Sequence, residues 1–250
     1  VSRPYELTGS VLFLGASYFG FRALDRYASF TAEDIAKLDP DRINRFDRPV
    51  AFFDPRQFDK AQQRSDLFLN VSIASPLLLA LNKRARHDGL DLAILYTTTH
   101  SVNNLLYFAT TFSIRRARPL TYNPGLALAE KTGEAKSNSF FSGHVSFSAT
   151  ATFFGAKVLT DYYRIRGWKR IGVFTLAAIP PVLVGINRMQ AGKHFRTDVL
   201  TGFLVGAACG IGVPEFHKRW AARSKSSSFS WNPEFSPGRF SGLSLRYQIK

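Results

Sequence analysis

Six apolar runs, separated by short charged segments, restrict this chain more than any other feature. They cover roughly Leu7–Leu24, Leu67–Leu81, Leu90–Ile114, Phe140–Leu159, Ile171–Ile186 and Val199–Phe216. Runs of this length predict helices, and six of them predict an all-α bundle of about six helices. Several fall short of the ~20 residues that cross a bilayer, and the third contains His100, Asn103 and Asn104. The mean hydropathy of −0.08 looks soluble only because polar residues are gathered into a few blocks.

Loop charge favours a transmembrane arrangement. With the first run leaving the cytoplasm, the inner connections are "NKRARHDGLD", "DYYRIRGWKR" and "HKRWAARSK", with three, four and four Lys/Arg. The long first connection, Arg22 to Asp66, then lies outside with nine basic and nine acidic residues. Basic short loops on alternate sides follow the positive-inside rule. Tyr162, Tyr163, Trp168 and Trp220 fall at run ends on the inner side, as an aromatic belt requires. Gly202, Gly206 and Gly210 form a small-residue stripe suited to close helix contact, within the bundle or between chains. A soluble α-bundle with polar connections is the alternative. The chain opens on Val1, so an upstream segment is expected to be missing from it; a cleaved signal there would invert the topology unless the first run does not span.

The formal charge of +15 admits nucleic acid, anionic lipid or phosphorylated small molecules as partners. Nucleic-acid binders gather basic residues along one element with aromatics for stacking. Here they cluster between apolar runs, so a bilayer is expected and nucleic acid is not. The single cysteine, Cys209, excludes an intrachain disulfide framework and a multi-cysteine zinc site. Residues 1–224 read as one helical domain and 225–250 as a Ser/Gly/Pro-rich, weakly ordered tail. The alternation from Leu243 to Ile249 would suit one short strand.

Three polar clusters interrupt the apolar pattern: "IRRARPLTYNP" from Ile114, "NSFFSGHVSFS" from Asn138 and "NRMQAGKHFRTD" from Asn187. In the topology above all three face the outer end. Arg118 and Arg188 offer planar forks for phosphate oxygens. Ser142 and Gly143 precede a helix start, where free N–H groups and the helix dipole favour an anion, and His144 stands at the same mouth. His194 and Asp198 are four apart and share a face if the sixth helix starts that early. The carboxylate then holds the imidazole in one tautomer as nucleophile or base. Asp198 also suits a helix N-cap. The set suffices for phosphoryl transfer through a phosphohistidine without a metal or other cofactor; a His/His/Asp metal site fits less well beside arginines.

These residues resemble the three-part signature of the type 2 phosphatidic acid phosphatase superfamily, K-x6-R-P, P-S-G-H and S-R-x5-H-x3-D. Arg118-Pro119, Ser142-Gly143-His144 and Arg188…His194…Asp198 match it, and "GKHFRTDVLTG" is close to the third motif as it enters the last helix. The resemblance covers about Thr111 to Gly210. It implies a six-helix phosphatase with its site at the outer membrane boundary. His194 would attack phosphorus, Asp198 would orient it, and His144 would protonate the leaving oxygen. Arg118, Arg188 and the Ser142-Gly143 backbone would hold the phosphate.

Three positions depart from the pattern. Thr111 stands where a lysine is expected, leaving Arg115 or Arg116 to reach the phosphate instead. Phe141 replaces a proline and Asn187 a serine. An unreplaced cation would cost ~10²–10³ in rate.

The function expected is metal-independent hydrolysis of a lipid phosphate or pyrophosphate. Phosphatidic acid, phosphatidylglycerol phosphate, a polyprenyl pyrophosphate and a phosphorylated lipid A are the candidates. The place expected is the inner membrane if the source is bacterial, with the site on the non-cytoplasmic face. Alternatives are a vanadium haloperoxidase relative, a soluble acid phosphatase and a non-catalytic lipid- or phosphate-binding membrane protein.

Overall fold

The computed structural model describes residues 3–234 and 242–249. Each apolar run forms the body of a long helix or its extension. These are α1 (Arg3–Tyr27), α2 (Phe58–Ala74), α3 (Gly89–Ser113), α4 (Gly143–Tyr162), α5 (Gly167–Gln190) and α6 (Arg196–Ser226). The second run breaks at Pro76, which cannot donate into a continuing helix, and finishes as a 3-10 turn over Ser75–Leu81. Four helical stretches are long and apolar enough to cross a membrane: Tyr5–Tyr27, Pro55–Leu81, Gly167–Gln190 and Arg196–Arg223. By that length and composition the chain is an integral membrane protein. They turn Leu12, Leu77, Ile171 and Leu204 outward, each more than half exposed, as a hydrocarbon environment favours.

The centre of the bundle is α4, whose sequence "GHVSFSATATFFGAKVLTDY" is rich in Ser, Ala and Thr and largely buried. Small side chains let neighbours approach its backbone. The glycine stripe of α6 exploits this within the chain. A Cβ built at Gly206 would stand 2.2 Å from the Ser146 carbonyl oxygen, and one at Gly210 2.6 Å from that of Thr150. The polar residues of the third run serve as interhelical links. Asn103 donates to the Ser146 hydroxyl at 3.2 Å and Asn104 to that of Ser17 at 2.6 Å. Such bonds answer buried polar groups where water is excluded.

The connections gather at the two ends of the bundle. At one end Tyr162 donates to Asp88 at 2.6 Å and Lys218 to Asp161 at 3.0 Å, tying α4 to the start of α3 and to α6. At the other end, residues 28–57, 114–142 and 191–195 form a cap. Within it Phe30 bridges Gly133, and Arg116 bridges Asn138.

Two expectations change. The first connection is shorter than Arg22–Asp66, because α1 continues to Tyr27 and α2 begins at Phe58, so Asp66 is a helix residue. The tail is also more regular than expected. Ser227–Glu234 pairs antiparallel with Gly242–Ile249, so the Leu243–Ile249 alternation does form a strand, with a partner.

The close contact between α4 and α6 generates a test. Gly206→Val should lower the melting temperature of detergent-solubilised protein by at least the effect of a ~1–3 kcal/mol overpacking penalty. Gly9→Ala, with nothing within 4 Å of the added carbon and a gain in helix propensity, should not lower it. Thermal unfolding followed by size exclusion measures both.

Candidate active site

Beneath the cap lies a cavity of about 390 Å³ whose wall includes Arg118, Gly143, His144, Arg188, Lys193 and His194. Three distant segments therefore converge at one place, and the arrangement starts from short-range structure. The first N–H groups of α4 have no partner within the helix, and Gly143 and His144 put that end against the cavity. Arg118 leads a 3-10 turn, Pro119–Tyr122. Arg188 belongs to the last turn of α5. After it Gly192 adopts φ +64, where its missing Cβ avoids the Phe58 ring at 2.8 Å, and the chain turns Lys193 and His194 inward.

His194 is 2 % exposed and its Nδ1 lies 2.7 Å from the Ser139 main-chain oxygen. A carbonyl only accepts, so Nδ1 carries the proton and Nε2 keeps its lone pair. Burial, then Arg188 and Arg118, push its pKa well below the ordinary imidazole value. The ring is neutral at pH 7, as a nucleophile requires.

Asp198 does not contact His194 as the four-residue spacing suggested. The sixth helix begins at Arg196, so His194 precedes it and the two side chains do not share a helical face. Nor is Asp198 the N-cap residue: it is the third residue of the helix, and its carboxylate reaches back to the N–H of Phe195, which precedes the first helical residue. Its Oδ2 accepts from the Phe195 N–H at 2.7 Å and the Ser139 hydroxyl at 2.6 Å. Its Oδ1 accepts from Arg116. Asp198 thus reaches His194 through Ser139, whose hydroxyl it holds and whose carbonyl holds the imidazole.

Neither substitute for the missing lysine reaches the cavity. Besides Asp198, Arg116 donates to Asp47 at 2.7 Å, and its guanidinium stacks on Phe195 at 4.5 Å. Asp47, fully buried, also accepts from the Thr197 N–H at 2.9 Å and hydroxyl at 2.6 Å. Burial alone would raise the Asp47 pKa, but the bonds from Thr197, Asn44 and Arg116 outweigh it and hold the carboxyl below its usual range. Arg115 donates to the Ser29 carbonyl at 3.1 Å and lies over the Tyr27 and Phe30 rings. Ser142 is buried behind Gly143, and its N–H already serves the Asp198 carbonyl at 3.0 Å. The N–H groups that follow it are the ones left for an anion. Thr111, 1 % exposed, bonds back to the Tyr107 carbonyl at 2.6 Å. Phe141 packs edge-on against Tyr107, and Asn187 bonds to the Leu183 carbonyl at 2.8 Å within its own helix.

Two groups escaped the sequence reading. Asp66 of α2 sits 3.2 Å from His144 Nε2. Gln62, one turn earlier, donates to Asp66 and accepts from Arg188 at 2.7 Å. One face of α2 thus links His144 to a phosphate-type cation. In sequence both residues fall in "QQRSD", part of the long Arg22–Asp66 connection that reads as a lid or substrate-side cap rather than as a source of a partner for His144. Lys193 is the second, and its neighbours in sequence gave no reason to single it out.

Fold and site together define a helical membrane protein with a buried, cation-lined cavity and two imidazoles at its wall. The family model of the PAP2 superfamily matches residues 89–222, more than half of the chain, and the chain belongs to that superfamily of type 2 phosphatidic acid phosphatases. Phosphatidylglycerophosphatase B of Bacillus subtilis (strain 168) is 32% identical over 123 residues, 49% of this chain and 55% of that protein. The match thus spans about half the length of that curated relative. Two solved structures are similar. One is the transmembrane PAP2 type phosphatidylglycerolphosphate phosphatase from Bacillus subtilis, at 19% identity and TM-score 0.45, covering 86% of this chain and 95% of that chain. The other is LpxE from Aquifex aeolicus, at 21% identity and TM-score 0.43, covering 65% and 87%.

Proposed function

We propose that the protein hydrolyses a phosphate or pyrophosphate ester of a membrane lipid through a phosphohistidine formed on His194. The observation that carries this reading is a neutral His194, protonated at Nδ1 with Nε2 unprotonated, in one cavity with Arg118, Arg188 and a helix N-terminus. Nε2 attacks phosphorus, and the bond to the ester oxygen breaks. His144 gives that oxygen a proton. Because Asp66 engages Nε2 of His144, Nδ1 is the nitrogen left to deliver it. Burial and then Arg188 lower the His144 pKa and Asp66 opposes them, so the negative charge of the arriving phosphate is what brings His144 to the imidazolium that Asp66 then steadies. Neutral His144 then takes a proton from water as it attacks the phosphohistidine, releasing inorganic phosphate and restoring both histidines. Arg118, Arg188 and the first N–H groups of α4 stabilise the charge on the transferring phosphoryl. A cavity walled by guanidinium groups repels a metal cation, which supports a route without one.

Orientation follows from charge. The bundle end opposite the cavity carries Arg86, Arg164, Arg166, Lys169, Arg170 and Arg219, with Trp168 and Trp220 exposed there. The positive-inside rule assigns that end to the cytoplasm, and so the cavity to the other face, the periplasmic one if the membrane is a bacterial inner membrane. Family membership supports a lipid phosphate as substrate. The name of the Bacillus subtilis relative puts phosphatidylglycerol phosphate first in the panel to test, ahead of phosphatidic acid, polyprenyl pyrophosphates and phosphorylated lipid A.

Solubilised protein should release phosphate from at least one of these lipids with EDTA present, and His194→Ala should abolish it, by at least ~10³-fold. A fully folded wild type inactive on the whole panel would move the reading to a binding protein. Asp66→Asn should lower kcat by ~10–10², less than the ~10²–10⁴ that a general acid supplies, because His144 itself remains. The loss should shrink on p-nitrophenyl phosphate, whose leaving group needs no proton. Steady-state kinetics on both substrates decide it.

A further inference from the structure

The lysine that the superfamily pattern expects at position 111 has no counterpart from its own segment. Thr111 is buried and bonded to its own helix, and Arg115 and Arg116 are engaged in the cap. The cavity nevertheless holds a third cation, brought from the far side of the sequence. Lys193 lines it beside Arg118 and Arg188.

Its backbone is fixed beside the anchor of His194. The Lys193 N–H donates to the Arg188 carbonyl at 3.1 Å, and its carbonyl lies 3.4 Å from the Ser139 hydroxyl, whose proton goes to Asp198. The main-chain oxygen of the same Ser139 holds His194. Among the described residues, the Lys193 ammonium makes no ion pair and no hydrogen bond. The buried Nε atoms of Arg118 and Arg188 likewise have no partner. Asp25 is the one carboxylate among the residues that line the cavity, so three cations there outnumber it; an excess of like charge away from bulk water is costly, and a ligand with two negative charges removes that cost.

We propose that Lys193 is the third phosphate-binding cation of this cavity, standing in for the lysine absent at position 111, and that it selects dianionic phosphate esters over monoanionic phosphodiesters. The inference rests on the phosphatase reading above for its substrate, but the binding claim stands on the geometry.

The same placement gives Lys193 a pH signature. It faces Arg118 and Lys136 from the connection before α4, Arg188 from α5, Asp59 from α2 and His194 beside it in its own turn. Burial, then Arg118, Arg188 and Lys136, lower its pKa to about 8. The lysine is charged below that value and neutral above it, whereas a phosphate ester is already dianionic above its second pKa of ~6. Affinity for a dianion should therefore fall as pH rises through the titration of Lys193. A bound dianion favours the charged lysine and moves that fall upward.

Sodium tungstate, dianionic across the range, is the probe, with calorimetry on solubilised full-length protein at pH 7 and 9.5. Melting temperature controls for folding, and phosphatidic acid turnover runs in parallel. Lys193→Met should weaken tungstate at pH 7 by ~10–100-fold, the worth of a charged hydrogen bond, and flatten the pH dependence. Lys193→Arg should bind like wild type at pH 7 and keep its affinity at 9.5, where wild type loses it. Tungstate binding by folded Lys193→Met with wild-type affinity and pH profile would overturn the proposal, as would no binding to folded wild type. If wild type turns over lipid and Lys193→Met matches it in kcat and KM, this inference fails while the phosphatase reading stands. If tungstate binding depends on Lys193 and no lipid is turned over, the inference stands and that reading fails.

Discussion

The buried carboxylate of Asp198 organises most of what surrounds it. It reaches back from α6 to the Phe195 N–H, holds the Ser139 hydroxyl, and draws Arg116 in from the connection after α3. Arg116 in turn binds Asp47 of the first connection, which binds Thr197 beside Asp198. One ion-paired network therefore fastens three separate connections to the start of one helix. Replacing one partner of a buried pair strands the other charge, at a cost of about 3–5 kcal/mol. In this fold that cost would fall on the position of His194, since the imidazole hangs from the Ser139 carbonyl.

The cavity beside that network has the opposite character. The cap balances its charges internally, whereas Arg118, Arg188 and Lys193 meet around a cavity whose wall holds one carboxylate, Asp25. That contrast separates structural arginines from binding ones. Arg115 and Arg116 lie close in sequence to Arg118, yet each bonds to groups of the cap and neither lines the cavity. A cation that protein has not neutralised is the one left for a ligand. Burial and then the same field lower the proton affinity of His194, so in the proposed reaction the excess charge would both attract the anion and help keep Nε2 unprotonated.

Much of this was legible in the sequence, and the reasons are local. Apolar runs marked all six helices because burial and lipid exposure both demand apolar side chains. The R-x5-H-x3-D spacing identified Arg188, His194 and Asp198 as a unit. The spacing misled about contact, because helical periodicity holds only within a helix and α6 begins after His194. Asp66 and Asp47 were invisible for another reason. Each acts through a partner 78 or 69 residues away, and no periodic signal links such positions. Lys193 was hidden by its surroundings: a lysine in a turn reads as solvated until the cap closes over it. The tail reads as weakly ordered with at most one strand, because its Ser, Gly and Pro content and Pro233 obscure the Phe229/Trp231 alternation of the segment that pairs with it.

The central claim is that phosphorus passes through His194, and the direct measurement is to trap it there. Wild-type protein would be mixed with a turned-over lipid phosphate and quenched within milliseconds in alkali, which preserves phosphohistidine. Mass spectrometry of the peptides would then locate the phosphate. The account predicts a transient phosphorylated peptide with the modification on His194, built up before steady state and more abundant in Asp66→Asn if that change slows breakdown. Steady turnover with no phosphate on His194 at any quench time, or phosphate on another residue, would contradict it.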